Sequence, residues 1–118
     1  MAVADFETAI DKSTQIDLTA TGRVSGRKTS RPVWFVRQDD TLYLLPVSGS
    51  DSQWYKNLLK TPAIRLAAER AEVSATARPV TDQGTVGQVL DRFSAKYGAS
   101  QVAEYYPDQD VAVEIALR

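Results

Sequence analysis

The C-terminal stretch alternates strictly. Val111, Val113, Ile115 and Leu117 interleave with Ala112, Glu114, Ala116 and Arg118. A side-chain period of two predicts a strand with one buried face. The same period recurs upstream. Ile16, Leu18 and Ala20 interleave with Asp17 and Thr19, Ile64, Leu66 and Ala68 with Arg65 and Glu69, and Val73, Ala75 and Ala77 with Ser74, Thr76 and Arg78. Pro32 to Arg37 and Thr41 to Val47 are dense in Val, Trp, Phe, Leu and Tyr, which suits strands buried on both sides. Only Gln38, Asp39 and Asp40 separate these two runs, so they predict a hairpin, as does Ile64 to Val80. Pro46 belongs near a strand end or on an edge, because it cannot donate to a ladder. Strands therefore arrive as antiparallel pairs and not as alternating βα units. The expected class is mainly β (α+β): six strands in a small, partly closed antiparallel barrel with two or three appended helices.

The helices fall between the strand pairs. Residues 4–12 predict a short helix with Phe6, Ala9 and Ile10 on one side. The segment SGSDSQWYKNLLKTP reads as loop, helix, stop. Asp51 or Ser52 can cap it, Trp54 and Leu58 share a face, Lys56 and Lys60 suit the C-terminal half of the dipole, and Pro62 discourages continuation. From Asp82 to Tyr97, the positions Val86, Val89, Leu90, Phe93 and Tyr97 form one helical stripe, and Gly98 is a natural stop. A helical turn from Ser100 to Tyr106 ends before Pro107. No repeat, low-complexity tract or linker interrupts the chain, so residues 1–118 read as a single domain.

Composition narrows the chemistry. The chain has no histidine and no cysteine. That removes thiol nucleophiles, imidazole bases, disulfides and the usual zinc, haem and iron–sulfur ligands. An enzyme with this composition borrows its chemistry from a cofactor. Asp39-Asp40 and Asp108-Gln109-Asp110 read as turn residues, so no metal site is expected. Lys and Arg total 14 against 15 Asp and Glu, a net charge of -1 with no global attraction to nucleic acid or membrane. No run is long and apolar enough for a membrane span, and the N-terminus lacks a signal-peptide core, so a cytoplasmic protein is expected.

The charge is unevenly distributed. Residues 23–31 carry Arg23, Arg27, Lys28 and Arg31 without an acid, whereas residues 82–118 carry six acids against three bases. In TGRVSGRKTSRP, Gly22 and Gly26 permit tight turns and Ser25 and Ser30 add hydroxyls. Backbone N–H groups and cations together suit a phosphate or carboxylate; the alternative is a solvated loop. Ser48-Gly49-Ser50 leads into a helix N-terminus, which also favours an anion. Trp54 can stack on a flat heterocycle or serve as a core anchor, and the Asn57 amide can bond a ligand or face solvent. The phenols of Tyr105 and Tyr106 can orient a hydride acceptor or donate a proton; the alternative is packing on the sheet.

The series TGRVSGRKTSRPVWFV, then LYLLPVSGSDSQWYKNLLKTPAIRL, resembles the deazaflavin-dependent nitroreductase family. The match runs from about Leu18 to Val80, and KYG…YYP…VAVEI fits the closing helix and strand more loosely. The resemblance implies a split β-barrel related to pyridoxamine phosphate oxidases, binding of coenzyme F420, and hydride transfer to a quinone, nitroarene or activated enone. It implies that the loop of Arg23, Val24, Ser25, Gly26, Arg27 and Lys28, continued by Arg31 and Pro32, holds the coenzyme's phosphate and glutamyl tail. Ser48, Gly49 and Ser50, with Trp54 and Asn57, would lie along the coenzyme, and Tyr105 or Tyr106 on the acceptor side. Barrels of this type resemble homodimers. The alternatives are an FMN-binding sister of the same fold, and a non-catalytic module binding anions or single-stranded nucleic acid. Against the nucleic-acid reading, Trp34, Phe35 and Tyr43 lie in expected core strands and the net charge is acidic.

Overall fold

The computed structural model describes residues 6–117 except 7, 12, 39, 47–48, 69–70 and 106–109. Its strands are β1 (Ile16–Thr21), β2 (Lys28–Val33), β3 (Val36–Gln38), β4 (Thr41–Leu44), β5 (Ala63–Ala68), β6 (Ala71–Val80) and β7 (Ala112–Ala116). The helices are α1 (Gln53–Lys60), α2 (Gln83–Tyr97) and α3 (Ala99–Tyr105), with a 3-10 turn at Gly49–Asp51 before α1. Phe6 and residues 8–10 are also helical, and Phe6, Ala9 and Ile10 are buried as their spacing predicts.

All seven strands join one antiparallel sheet in the order β2-β1-β5-β6-β7-β4-β3. β6 is shared. Ala71 to Thr76 pair with β5, and Ala77 to Val80 pair with β7. β2 and β3 stand at opposite ends of the order, yet only Trp34 and Phe35 separate them in the chain. Laid flat, seven strands would put those edges about 29 Å apart. The chain from Val33 to Val36 reaches at most about 11 Å. The sheet therefore has to curl until its two edges approach, and that produces the split barrel.

The strand count is seven where six were expected. The run Pro32 to Arg37 divides: Pro32 and Val33 finish a strand paired with β1, and Val36 and Arg37 begin one paired with β4. Trp34 and Phe35 carry the chain from one edge to the other. The basic loop is shorter than expected, because Lys28 to Arg31 already lie in β2. Their polarity hides the strand: β2 is an edge whose first five residues are exposed on both faces. Pro32, Lys28 and Arg31 suit such an edge, where a missing donor and charge both resist further pairing.

Two cores result. Inside the barrel, Ile16, Leu18, Phe35, Leu42, Leu44, Leu66 and Ile115 pack with Trp54, Tyr55 and Leu58 of α1. Under α2, Val86, Val89 and Phe93 pack on Val36, Leu45, Val80 and Ala112. Burying each large apolar side chain contributes about 1.5–3 kcal/mol. The Asp82 carboxylate caps α2, accepting from the Thr85 N–H at 2.9 Å and hydroxyl at 2.8 Å, which lowers its pKa. Gly98, at φ +100°, ends that helix where an L side chain would be strained. Ser52 stands at the N-cap of α1 without a side-chain cap bond, while Asp51 lies in the 3-10 turn.

Candidate functional site

The outer face of β2, β1, β5 and β6 carries a groove of about 710 Å³. Its floor follows from register, since partners across an antiparallel ladder share a face. Ser30 lies opposite Thr19, Thr19 opposite Arg65, and Arg65 opposite Ser74. Lys28 lies opposite Thr21, and Ala63 opposite Thr76. Hydroxyls from β2, β1 and β6 therefore share this face, with Arg65 of β5 among them and Lys28 at one end. The Thr19 and Ser30 hydroxyls are 2.6 Å apart, and Arg65 is held by Glu72 at 3.0 Å.

A tight turn closes this end of the groove. The Gly22 N–H donates to the Arg27 carbonyl at 2.7 Å, and the Gly26 N–H to the Gly22 carbonyl at 3.0 Å. Gly26 needs its φ of +74°. A Cβ on Gly22 would meet the Arg27 carbonyl oxygen at 3.2 Å. Ser25 Oγ accepts from the Arg27 N–H at 3.1 Å, and Val24 is exposed at the turn.

The four cations of this region do not converge. Arg23 is tied to α1: its backbone N–H and Nη1 both donate to Asn57 Oδ1, at 3.1 and 2.8 Å, and Nη2 donates to Gln53 Oε1 at 2.7 Å. Lys60 Nζ donates to the Arg23 carbonyl at 2.8 Å. Arg23 is thus a staple between loop and helix. Arg31 lies opposite Leu18, on the face of β2 away from Lys28 and Ser30. Pro32 lies opposite Asp17. Arg27 and Lys28 remain, and their side chains have no hydrogen-bond or ion-pair partner among the described residues.

The start of α1 is more enclosed. Trp54 is 5% exposed and sits in the barrel core. Asn57 is 9% exposed, with its amide oxygen bonded to Arg23. The anion cradle before the helix is filled from within the chain. The Ser50 N–H donates to Asp110 Oδ1 at 2.9 Å, and Ser50 Oγ donates to Asp110 Oδ2 at 2.5 Å. These bonds, the hydroxyl's first, lower the Asp110 pKa. Burial raises that of Tyr55, and the Asp110 charge raises it further. Gly49 is buried beside this contact, and Ser48 lies outside the described residues.

Tyr105 ends α3; nothing is described of its side chain, and Tyr106 lies outside the described residues. Another phenol holds a structural position that its place in a helical stripe did not reveal. Tyr97 stacks on Trp34 with centroids 4.1 Å apart and planes at 9°. Its hydroxyl accepts from the Phe35 N–H at 3.1 Å and lies 2.7 Å from the Thr14 carbonyl. Burial raises its pKa, and the Phe35 N–H opposes that. Tyr97 thus pins the link that closes the barrel. The groove hydroxyls of Thr19, Thr21, Ser74 and Thr76 also went unseen in sequence. Their signal is the polar half of each alternation, and only strand register brings it together.

A family model described as F420H(2)-dependent quinone reductase matches residues 3–115. The chain belongs to that family. Solved structures with the same fold include the protein Rv2991 from Mycobacterium tuberculosis, at 18% identity and a TM-score of 0.79, covering 100% of this chain and 82% of that one. A structure titled F420-H2 Dependent Reductase (FDR-A) matches at 17% identity and a TM-score of 0.67, covering 86% of this chain and 93% of that one. A putative 5-nitroimidazole antibiotic resistance protein from Bacteroides thetaiotaomicron matches at 14% and 0.72, covering 96% and 78%. Like these, the quinone reductase family member described here is a split barrel. Among its described residues, no group of three or more acids could hold a metal ion, and no helix is long and apolar enough to cross a membrane.

Proposed function

We propose that this protein uses reduced coenzyme F420 to reduce a quinone, with the coenzyme's anionic end held at the Gly22–Lys28 turn and the adjoining groove. The observation that carries this reading is the pair Arg27 and Lys28. Both cations lack protein partners among the described residues; Lys28 lines an open, hydroxyl-floored groove, and Arg27 precedes it at the end of the turn. Unpaired cations beside hydroxyl donors fit a phosphate and a carboxylate tail. The groove's volume lies within the range of small-molecule sites.

When bound, the deazaflavin supplies the hydride, which a chain without histidine or cysteine does not have to generate. The protein's part is then positional. Arg27 and Lys28 attract and orient the anionic end. Thr19, Thr21, Ser30 and Ser74 offer hydroxyls along the groove floor. Arg23, held by Asn57 and Gln53, fixes the turn against α1 so that its cations point outward at no further ordering cost.

The test is a fluorescence titration of the purified protein with F420, followed by turnover of the reduced coenzyme with a quinone. Binding below tens of micromolar and quinone-dependent oxidation are expected. Absence of both at that concentration overturns the reading. FMN carries a phosphate too, so it forms the parallel arm: tight FMN binding without F420 binding would assign the groove to a flavin.

A further inference from the structure

A second charged cavity lies outside the groove. It has a volume of about 410 Å³ and sits where α2 packs beside β3 and the Phe35 link. Arg37, Arg92 and Lys96 line it, with Asp11 as its acid.

Lys96 is held in place. Its Nζ donates to the Phe35 carbonyl at 2.9 Å and stands 3.5 Å from the centroid of the Phe35 ring. These contacts orient the ammonium but do not neutralise it. Burial lowers its pKa, opposed by the Asp11 charge. Asp11 itself is bonded to Arg37 Nη1 at 2.8 Å. Arg92 precedes Lys96 by four residues on α2, so both heads share one face. Arg92 has no ion-pair or hydrogen-bond partner among the described residues. Among the described lining, Arg37 is engaged by Asp11, and the Arg92 and Lys96 heads supply two further positive charges to a concave site.

We infer that this cavity binds a phosphate dianion, either free or as a phosphomonoester. Charge selects a dianion over a halide or a monocarboxylate. Geometry selects a tetrahedral oxyanion, whose oxygens can accept from the Arg92 fork and the Lys96 ammonium at once. Such a ligand would bridge α2 to the Phe35–Arg37 segment that closes the barrel.

The test is a titration of isotope-labelled protein with inorganic phosphate at pH 7.5, followed by amide NMR at ionic strength held constant with chloride. Saturable shifts at residues 35–37 and 92–97, with at least a tenfold weaker midpoint in Arg92→Gln, are expected. Arg92 is exposed, so that variant should fold. Lys28→Ala should leave these shifts in place. Shifts confined to residues 22–28, a linear response matched by chloride, loss of the cavity shifts in Lys28→Ala, or an unchanged midpoint in Arg92→Gln would each overturn the site. A glycerol phosphate arm separates the sources: equal saturation assigns a phosphomonoester, and saturation by inorganic phosphate alone assigns the free ion. Because the 22–28 signals are read separately, failure here leaves the coenzyme groove standing.

Discussion

Arg23 and Asn57 meet through one atom: the backbone N–H and the guanidinium of Arg23 both end on Asn57 Oδ1, at 3.1 and 2.8 Å. One half-charged, half-neutral pair of bonds thereby docks the basic turn on α1. Removing the acceptor strands both donors. Hydrogen bonds to charged groups contribute about 1.5–3 kcal/mol. Asn57→Ala should cost about 2 kcal/mol by urea unfolding and weaken F420 binding as well. Asn57→Asp keeps an acceptor and should lose less on both counts. An Asn57→Ala variant within 0.5 kcal/mol of wild type would show that the turn docks by other means.

Lys28 and Arg31 lie three residues apart on opposite faces of β2. Lys28→Ala, and likewise Arg27→Ala, should weaken F420 binding several-fold while changing stability by no more than about 0.5 kcal/mol. Arg31→Ala should weaken it less. Equal losses at Lys28 and Arg31, measured by fluorescence titration, would mean that the coenzyme does not follow the outer groove.

Asp110 lends its carboxylate to Ser50, and its folded pKa is lowered from 3.8. The sign follows. A depressed carboxylate contributes stability above its unfolded pKa and loses it as pH falls through the folded value. Asp110→Asn should therefore be less stable than wild type at pH 7, with the gap closing below about pH 4. Urea unfolding at pH 7 and pH 3 reads the difference. A gap that stays constant would assign the contact to packing instead of charge.

Tyr97 closes the barrel with one hydroxyl. Tyr97→Phe keeps the ring beside Trp34 but leaves the Phe35 N–H without its bond. A buried donor left unmade costs about 1–3 kcal/mol. Thermal unfolding should show that loss, and amide exchange should speed up at residues 34–36. If exchange there is unchanged, the link is held by packing alone.

Local pattern was legible where one face of an element is buried. The stripe of α2 and the stop at Gly98 appear in the structure near their expected bounds, and so does β7, although Ala112 on its other face is buried under α2. Asn57 and Arg23 were singled out in sequence as ligand groups, and that they are bonded to each other was not legible there. Lys28 to Arg31 read as loop because an edge strand exposed on both faces has no apolar period to display.

The sequence by itself determined that strands return as antiparallel pairs, that no histidine or cysteine chemistry exists, and that the cations are concentrated near residue 27. Only the tertiary structure decided which cations lack partners among the described residues, that Ser50 already holds a carboxylate, and that hydroxyls from three strands share one floor. The reason is range. Period and charge are written between neighbours, whereas register, edge closure and pairing depend on residues far apart in the chain, 60 positions for Ser50 and Asp110 and 83 for Tyr97 and Thr14.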